Sequence, residues 1–310
     1  MICPLCSQSD IRLIQSVKLS DIQAIYKRFL QIDISACVSV DSLEYCECDS
    51  CGLLFFTPPM PGDESFYNEL QQYEWYYADE KEEFLAAAQW VRPEDRVLEI
   101  GCGKGAFARH IKYASYEGID LSENAVCMAD GAELQVTCTT IEDHANGKYG
   151  KYDAVCAFQT LEHVISPGNF LEAAVSCLAP GGRLMMSVPS QSSFVGQTCN
   201  AVLNLPPHHL TRWSDVTLES IGKLYGVNMV SIEHQPLEPA HFEWFSMTRI
   251  LKVLRMFSSV TSDAAVDNSS FYWRLYAVAR FLAKRGVARP DSHSLPDGHT
   301  VLAVFEKPER

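Results

Sequence analysis

The segment Val97-Leu98-Glu99-Ile100-Gly101-Cys102-Gly103-Lys104-Gly105-Ala106-Phe107 sets the architecture predicted for this chain. Apolar, strand-prone residues lead into three glycines spaced two apart, and an amphipathic segment follows. This pattern predicts a strand, a tight turn and a helix start. Glycine permits positive φ and a close approach of backbone to a ligand, and N–H groups at a helix start can bind a polar group. The segment therefore predicts a binding loop, although G-x-G-x-G is not the dinucleotide pattern G-x-G-x-x-G and glycine turns also serve structural ends.

Strands and helices are predicted to alternate from Arg96 onward. The predicted strands cover residues 97–100, 116–119, 136–138, 152–157 and 183–188, with helical segments between them. Such alternation indicates an α/β fold in which a parallel sheet has helices on both faces and binds ligands at the carboxyl ends of its strands. Asp120 ends the second of these strands, where its carboxylate can accept two hydrogen bonds from a ribose.

Composition limits the classes of function. The chain has 310 residues and a formal net charge of −14, which argues against a general nucleic-acid binder because phosphate affinity is built mainly from Lys and Arg. No basic region followed by an apolar run stands near the start, and no apolar run reaches the roughly 18 residues of a membrane span. We therefore expect a cytoplasmic protein.

Two C-x-x-C pairs, Cys3/Cys6 and Cys48/Cys51, have the ligand spacing of a structural zinc site with four thiolates. The spacer is longer than usual and contains a helical pattern over residues 20–30, so residues 1–57 are predicted to form a zinc ribbon with an inserted helix. A redox role for the pairs is the competing interpretation. Cys37 and Cys46 are expected to be small buried hydrophobic residues. A Pro-rich segment then separates this module from a domain predicted over residues 62–310.

Several motifs together resemble a class I S-adenosylmethionine-dependent methyltransferase over residues 90–235. They are Glu99 to Gly105, Asp120, Asp153-Ala154-Val155, Leu161-Glu162-His163-Val164 and Leu178-Ala179-Pro180-Gly181-Gly182-Arg183-Leu184. The resemblance implies a Rossmann-like sheet of seven strands. Its sixth strand falls at residues 227–234, and its last, antiparallel strand at residues 298–306.

The resemblance also implies a site for the cofactor. The glycine loop would hold the methionine part, Asp120 the ribose, the segment from Thr140 the adenine, and the residues from Phe158 the sulfonium end. The implied cofactor-binding residues are Glu99, Gly101, Cys102, Gly103, Asp120, Leu121, Thr140, Ile141, Phe158, Gln159 and His163. The aromatic residues Tyr73, Trp75, Tyr76 and Tyr77 are interpreted as packing, or as a cover over the cofactor.

Two adjacent histidines, His208 and His209, follow the fifth strand of this sheet in the segment Pro206-Pro207-His208-His209-Leu210. An imidazole can deprotonate a hydroxyl near neutral pH, so we predict these two residues as catalytic bases. A structural role and binding of a metal by the pair are the alternatives.

A helical insertion is predicted at about residues 238–297. Residues 249–289 carry eight basic side chains against two aspartates, a local charge of 8 − 2 = +6. The insertion is predicted to cap the pocket and hold a phosphorylated small-molecule acceptor, or to touch a membrane surface through residues 244–285. A lid or a dimer surface is the alternative, and the oligomeric state stays open.

The combination of zinc ribbon, class I core and Pro-Pro-His-His-Leu segment resembles bacterial methyltransferases of surface-polysaccharide and sugar modification. We therefore predict an O-methyltransferase acting on a hydroxyl of a sugar, a nucleotide sugar or a similar small acceptor. The alternatives are a ribosomal or transfer RNA methyltransferase and a non-catalytic, cofactor-binding scaffold.

Overall fold

The computed structural model describes residues 1–38, 40–73, 81–130, 134–256, 263–291 and 294–309. Trp75, Tyr76 and Tyr77 of the predicted aromatic cover lie outside these ranges. The strands are β1 (Ile11–Lys18), β2 (Ser42–Cys48), β3 (Leu54–Thr57), β4 (Arg96–Ile100), β5 (Ser115–Asp120), β6 (Val136–Cys138), β7 (Tyr152–Phe158), β8 (Leu178–Pro189), β9 (Thr211–Arg212), β10 (Asn228–Pro236) and β11 (Asp297–Glu306). The α-helices are α1 (Leu19–Phe29), α2 (Glu64–Leu70), α3 (Glu82–Ala88), α4 (Glu123–Asp130), α5 (Ile141–His144), α6 (Pro167–Cys177), α7 (Asp215–Tyr225), α8 (Phe242–Arg255) and α9 (Ser270–Ala283).

Seven strands form the central sheet, in the order β10-β11-β8-β7-β4-β5-β6. The ladders joining β8, β7, β4, β5 and β6 are parallel, whereas β11 is antiparallel to both of its neighbours. The predicted Rossmann-like sheet with an antiparallel last strand is confirmed. The chain enters the sheet at β4 and later returns to its other side at β7, so a crevice opens at the carboxyl ends of β4 and β7.

The inner strands form where apolar residues run without interruption. Four of the five residues of β4 and six of the seven of β7 are buried, as expected for parallel strands covered on both faces. Strand β10 lies at an edge of the sheet, and eight of its nine residues are exposed or half-buried. The crevice is therefore framed by the best-buried part of the sheet.

A second sheet, in the order β1-β2-β3-β9, was not predicted. Strands β1 and β2 pair antiparallel, with Ile11 opposite Cys48 and Lys18 opposite Ser42. Most residues of β1 are exposed or half-buried, so its apolar pattern is too weak to indicate a strand. Strand β9 follows the histidine pair, and its Thr211 pairs with Phe55. The N-terminal module and the histidine segment are thereby joined by a β-ladder.

The N-terminal module also shares its core with the large sheet. Cys3, Leu53 and Phe55 belong to the same buried cluster as Leu98 and Trp213. In addition, the Tyr26 hydroxyl donates a 2.8 Å hydrogen bond to the carbonyl oxygen of Leu205. The module is therefore packed against the domain, and the boundary at residues 57–62 stays a prediction.

Helices α8 and α9 of the insertion pack on each other, and one basic side chain on α8 and one just after α9 have partners. The guanidinium of Arg255 lies 3.9 Å from a carboxylate oxygen of Asp267, and that of Arg285 lies 3.5 Å from the ring centre of Phe281. None of the described helices is both long and apolar enough to cross a membrane.

Candidate active site

A cavity of about 2710 Å³ opens at the carboxyl ends of the central strands. Its wall is formed by the glycine loop, the residues after β5 and β7, the histidine segment, α1 and the insertion helices. All residues predicted for the cofactor, and both predicted bases, line it. Because ligand pockets are usually about 300–1,000 Å³, the space can hold a cofactor and an acceptor together.

The glycine loop has the backbone conformation that its glycines permit. Gly101, Gly103 and Gly105 have φ of 70°, 53° and 73°, a region that other residues avoid. A Cβ on Gly101 would lie 2.4 Å from the Thr160 hydroxyl oxygen, so the loop is also closely packed against the residues after β7. The helix predicted after the loop is wrong, because residues 107–110 form a short 3-10 turn. The segment after the loop is too short for a regular helix, because the Ala114 N–H already donates a hydrogen bond to the carbonyl oxygen of Asp95, just before β5 begins.

Asp120 connects the end of β5 to the glycine loop. One carboxylate oxygen accepts a 2.8 Å hydrogen bond from the Gly103 N–H, and the other accepts one of 2.8 Å from the Ser122 N–H. Each oxygen keeps a second lone pair for a ligand hydroxyl. The carboxylate is thus held at the cavity wall by backbone donors, and Leu121 beside it is exposed.

Glu99 lies beneath the glycine loop and is 3 % exposed. Burial raises the pKa of this carboxyl to about 8, and a 2.5 Å hydrogen bond from the Tyr116 hydroxyl opposes that rise. Cys102 is buried as well, and its sulfur would lie 2.7 Å from a Cβ on Gly118. Glu99 therefore supplies a carboxyl whose ionisation a cationic ligand would favour.

The residues predicted to border an adenine lie along one side of the cavity. The hydroxyl oxygen of Thr140 accepts a 3.1 Å hydrogen bond from the Asp143 N–H and caps α5. Ile141 is buried and presents an apolar surface, while the neighbouring Glu142 is exposed at the cavity wall. Thr140 thus has a structural role in addition to its predicted place in the site.

The residues after β7 bend sharply into the cavity. Gln159 has φ of 49°, an uncommon conformation for a residue with a side chain, and its amide nitrogen lies 3.4 Å from the Ser187 hydroxyl. Phe158 packs edge-on against Phe84, with ring centres 5.1 Å apart. Strained backbone of this kind is concentrated at functional sites.

His163, His208 and His209 form one cluster, in which each residue offers a potential ligand atom within 4.8 Å of the others. The Nδ1 atoms lie 2.6 Å from the His208 carbonyl oxygen, 2.9 Å from the Leu203 carbonyl oxygen and 3.1 Å from Asn204 Oδ1, respectively. These oxygens only accept, so all three Nδ1 atoms carry the proton and the Nε2 atoms carry the lone pair. His163 was predicted as a cofactor residue, and the structure joins it to the two predicted bases.

Glu162 lies beside this cluster. The sequence marks it only as part of the Leu161-Glu162-His163-Val164 motif, and no role was predicted for it. It is 1 % exposed, and neither carboxyl oxygen has a hydrogen-bond partner. Its Oε1 atom lies 3.8 Å from His163 Nε2 and 3.9 Å from His209 Nε2. Its acidic side chain within the Leu161-Glu162-His163 motif was the signal that could have marked it as functional.

Burial sets the protonation of the cluster. It lowers the pKa of His163 to about 4 and those of His208 and His209 well below their ordinary value, and neighbouring imidazoles add to the effect for the latter two. It also raises the pKa of Glu162 to about 8. The imidazoles are therefore neutral near pH 7 and can bind a cation, but burial makes them weaker bases than a free histidine, and Glu162 is mainly protonated.

The four predicted zinc ligands also come together. Cys3, Cys6, Cys48 and Cys51 place their sulfur atoms within 4.8 Å of one another, with 3.6 Å between Cys3 and Cys51 and 3.5 Å between Cys6 and Cys48. These spacings suit a tetrahedral zinc site with Zn–S distances of about 2.3 Å. Cys37 and Cys46 are outside the group.

Comparison with known proteins agrees with this geometry. A family model described as a methyltransferase domain matches residues 67–232, which is 166 of 310 residues. Ubiquinone biosynthesis O-methyltransferases from Aeromonas salmonicida and Dechloromonas aromatica are 35% and 32% identical, over 30% and 46% of this chain and 42% and 69% of their own lengths. The chain spans about half the length of the first such relatives.

A solved structure of a SAM dependent methyltransferase from Archaeoglobus fulgidus is 17% identical, covering 79% of this chain and 100% of that one at a TM-score of 0.49. The family assignment depends on the sequence model, which covers more than half of the chain. The chain belongs to the family of class I S-adenosylmethionine-dependent methyltransferase domains.

Proposed function

We propose that the protein transfers a methyl group from S-adenosylmethionine to a hydroxyl oxygen of a small acceptor. The observation that carries the proposal is the single cavity that joins the glycine loop and Asp120 to the neutral histidine cluster. The names of the relatives, which describe O-methyl transfer, support an oxygen acceptor. The chain shares only part of their length, so their own acceptor is not carried over.

The residues present fit the cofactor. Gly101 and Gly103 expose backbone without side chains at the cavity wall, Asp120 has lone pairs for ribose hydroxyls, and Glu99 offers a counter-charge for an ammonium group. When bound, the cofactor supplies an electrophilic methyl group on a sulfonium. Gln159 and Phe158 would position that end of it, because they lie at the carboxyl end of β7, beside the crevice.

The histidine cluster would prepare the acceptor. A hydroxyl oxygen that attacks the methyl carbon must lose its proton, and a neutral imidazole Nε2 can take that proton. His209 is the stronger candidate, since Asn204 fixes its tautomer and Glu162 lies 3.9 Å from its Nε2, where an imidazolium and an ionised Glu162 would stabilise each other. His208 is the second candidate base.

The outer part of the cavity indicates an acceptor with an apolar body and an anionic group. Phe29, Trp244 and Tyr276 contribute aromatic surface, and the exposed guanidinium groups of Arg28 and Arg280 lie at the same wall. Arg28 reaches this region from the N-terminal module, with its guanidinium 3.9 Å from the ring centre of Trp273 on α9. A phosphorylated sugar or nucleotide fits this arrangement, as does a charged aromatic hydroxyl compound.

Methyl transfer with a labelled cofactor tests the proposal on paired acceptors. Nucleotide sugars, their unphosphorylated sugars and phenolic carboxylates are compared, together with His209→Ala and the control His110→Ala outside the cavity wall. We expect activity on at least one anionic acceptor, and a fall in kcat of about 10²–10⁴ in His209→Ala alone. Cofactor binding without transfer to any hydroxyl acceptor would contradict the proposal.

We also propose that the four cysteines hold a structural zinc ion. Four thiolates close the coordination sphere and leave no position for chemistry. The site would fasten the N-terminal turn to the β2–β3 hairpin.

A further inference from the structure

We infer that His163, His208, His209 and Glu162 form a second metal site, for a divalent transition-metal ion of the zinc class, in the wall of the cavity. This site differs from the four-cysteine group in ligand type and in its access to the cavity. It does not depend on the proposed function, because metal binding is measured without cofactor or acceptor.

The ligand chemistry is the first argument. Imidazole nitrogens bind Zn²⁺, Fe²⁺, Ni²⁺ and Cu²⁺, and sites with three histidines and one further ligand are common for zinc. The three histidine rings are close, with centres 4.4–4.9 Å apart. A bound cation would favour the ionised form of Glu162, so three neutral imidazoles and one carboxylate would give a ligand set with a net charge of −1, which suits a divalent cation.

The hydrogen bonds around the histidines are the second argument. A histidine that binds metal through one nitrogen almost always donates its other N–H to a carbonyl or carboxylate oxygen. Here all three Nδ1–H groups donate to such oxygens, those of His208, Leu203 and Asn204. The outer ring of acceptors for Nε2 coordination is therefore already in place.

Glu162 is the third, independent argument. A carboxyl group that is 1 % exposed and has no hydrogen-bond partner is expensive to bury. Its Oε1 atom lies 3.8 Å from the Nε2 atom of His163 and 3.9 Å from that of His209. A cation bound to those nitrogens would give the carboxylate the partner that the protein does not supply.

The distances show what binding requires. In a tetrahedral site with Zn–N bonds of 2.0–2.1 Å the nitrogens are about 3.4 Å apart, whereas here one ring nitrogen of each histidine, Nδ1 or Nε2, lies within 4.8 Å of one from each of the other two. The imidazoles must therefore turn toward one another. His163 comes from the segment after β7 and the other two from the segment before β9, so an ion would join these two walls. An oxygen of the acceptor can then occupy a coordination position on the cavity side, where the ion, in place of the Nε2 lone pairs that it occupies, would favour loss of the hydroxyl proton.

The test is a titration of metal-depleted protein with Co²⁺, followed by absorbance and by metal content per chain. We expect two bound ions in the wild type, of which one shows cobalt–thiolate absorption and the other does not. His163→Ala and His209→Ala should keep the thiolate signal and weaken the second ion at least about 10-fold. Cys48→Ser should do the reverse, and His110→Ala should bind as the wild type does.

Glu162→Gln is a variant with little risk of misfolding, since it keeps the shape of the side chain and removes its charge. It should also lower the affinity for the second ion. The circular dichroism spectrum and the thermal unfolding of each variant report whether the fold is intact. A single thiolate-bound ion in the wild type, or a second ion bound equally by the histidine variants, would overturn the inference. Failure of the proposed methyl transfer would leave the metal count unchanged.

Discussion

The Nδ1 atom of His163 lies 2.6 Å from the carbonyl oxygen of His208, and this hydrogen bond joins the segment after β7 to the segment before β9. It fixes the tautomer of His163 and places its ring 4.6 Å from the ring of His208, centre to centre. The two segments also meet through backbone, because the Leu210 N–H donates a 2.8 Å hydrogen bond to the carbonyl oxygen of Glu162. This junction holds Glu162 and His163 next to His208 and His209, the residues proposed to carry the chemistry.

Substitution of Gly101 should impair the cofactor loop. Gly101→Ala places a methyl group 2.4 Å from the Thr160 hydroxyl oxygen at φ of 70°, so we expect affinity for S-adenosylhomocysteine to fall about 10-fold or more. Gly147→Ala is the matched control, because Gly147 has φ of 78° and no atom would lie within 4 Å of its Cβ. Gly147→Ala should carry the same backbone strain but keep the wild-type affinity for S-adenosylhomocysteine. Equal affinity losses in the two variants, measured by calorimetry, would contradict the packing argument.

The buried carboxyl of Glu99 should make stability depend on pH. Its pKa is raised from 4.5 to about 8 in the folded state, so the folded protein binds this proton more tightly than the unfolded chain does. The corresponding stabilisation is complete below pH 4.5 and is lost as pH rises toward 8. In urea unfolding of the ligand-free protein, the free energy of unfolding of Glu99→Gln should rise relative to that of the wild type between pH 4.5 and 8, by on the order of a few kcal/mol. Parallel stability curves for the two proteins would show that Glu99 titrates normally.

Removal of the four-cysteine site should affect more than the N-terminal module. Strand β3 pairs with β9, and Cys3 shares a buried cluster with Trp213, so we expect a chelator or Cys48→Ser to loosen residues 1–57 and β9 together. With several kcal/mol lost, the Tm should fall by about 10 °C. Hydrogen exchange measures the region affected, and Cys37→Ser, outside the group, is the control. Full protection of β9 in the chelated protein would mean that the module unfolds by itself.

The central sheet and the cofactor side of the cavity were predictable because their signals are local. The buried runs of β4 and β7, the glycine spacing and the position of Asp120 after β5 all lie within short segments. The four cysteines were predictable for a similar reason, since each pair is closed by a tight turn and metal-ligand spacing is specific.

The acceptor side depends on contacts between distant segments, which a single sequence does not show. Strand β9 is two residues long and becomes a strand only by pairing with β3. The convergence of Glu162 and His163 with His208 and His209 is likewise a product of the fold. The 3-10 turn after the glycine loop was missed because its apolar residues have helical spacing, while the start of β5 leaves too little chain for a helix.

The most direct test of cofactor binding in this cavity is calorimetric titration of the wild type, Asp120→Ala and Asp143→Asn with S-adenosylmethionine and S-adenosylhomocysteine. Asp143 is an exposed acid on α5 and serves as the control. We predict micromolar binding by the wild type and the control, and a loss of roughly 1.5–3 kcal/mol in Asp120→Ala, because hydrogen bonds to a charged group are removed. No binding of either compound by the folded wild type, or equal binding by Asp120→Ala, would contradict the assignment of this cavity.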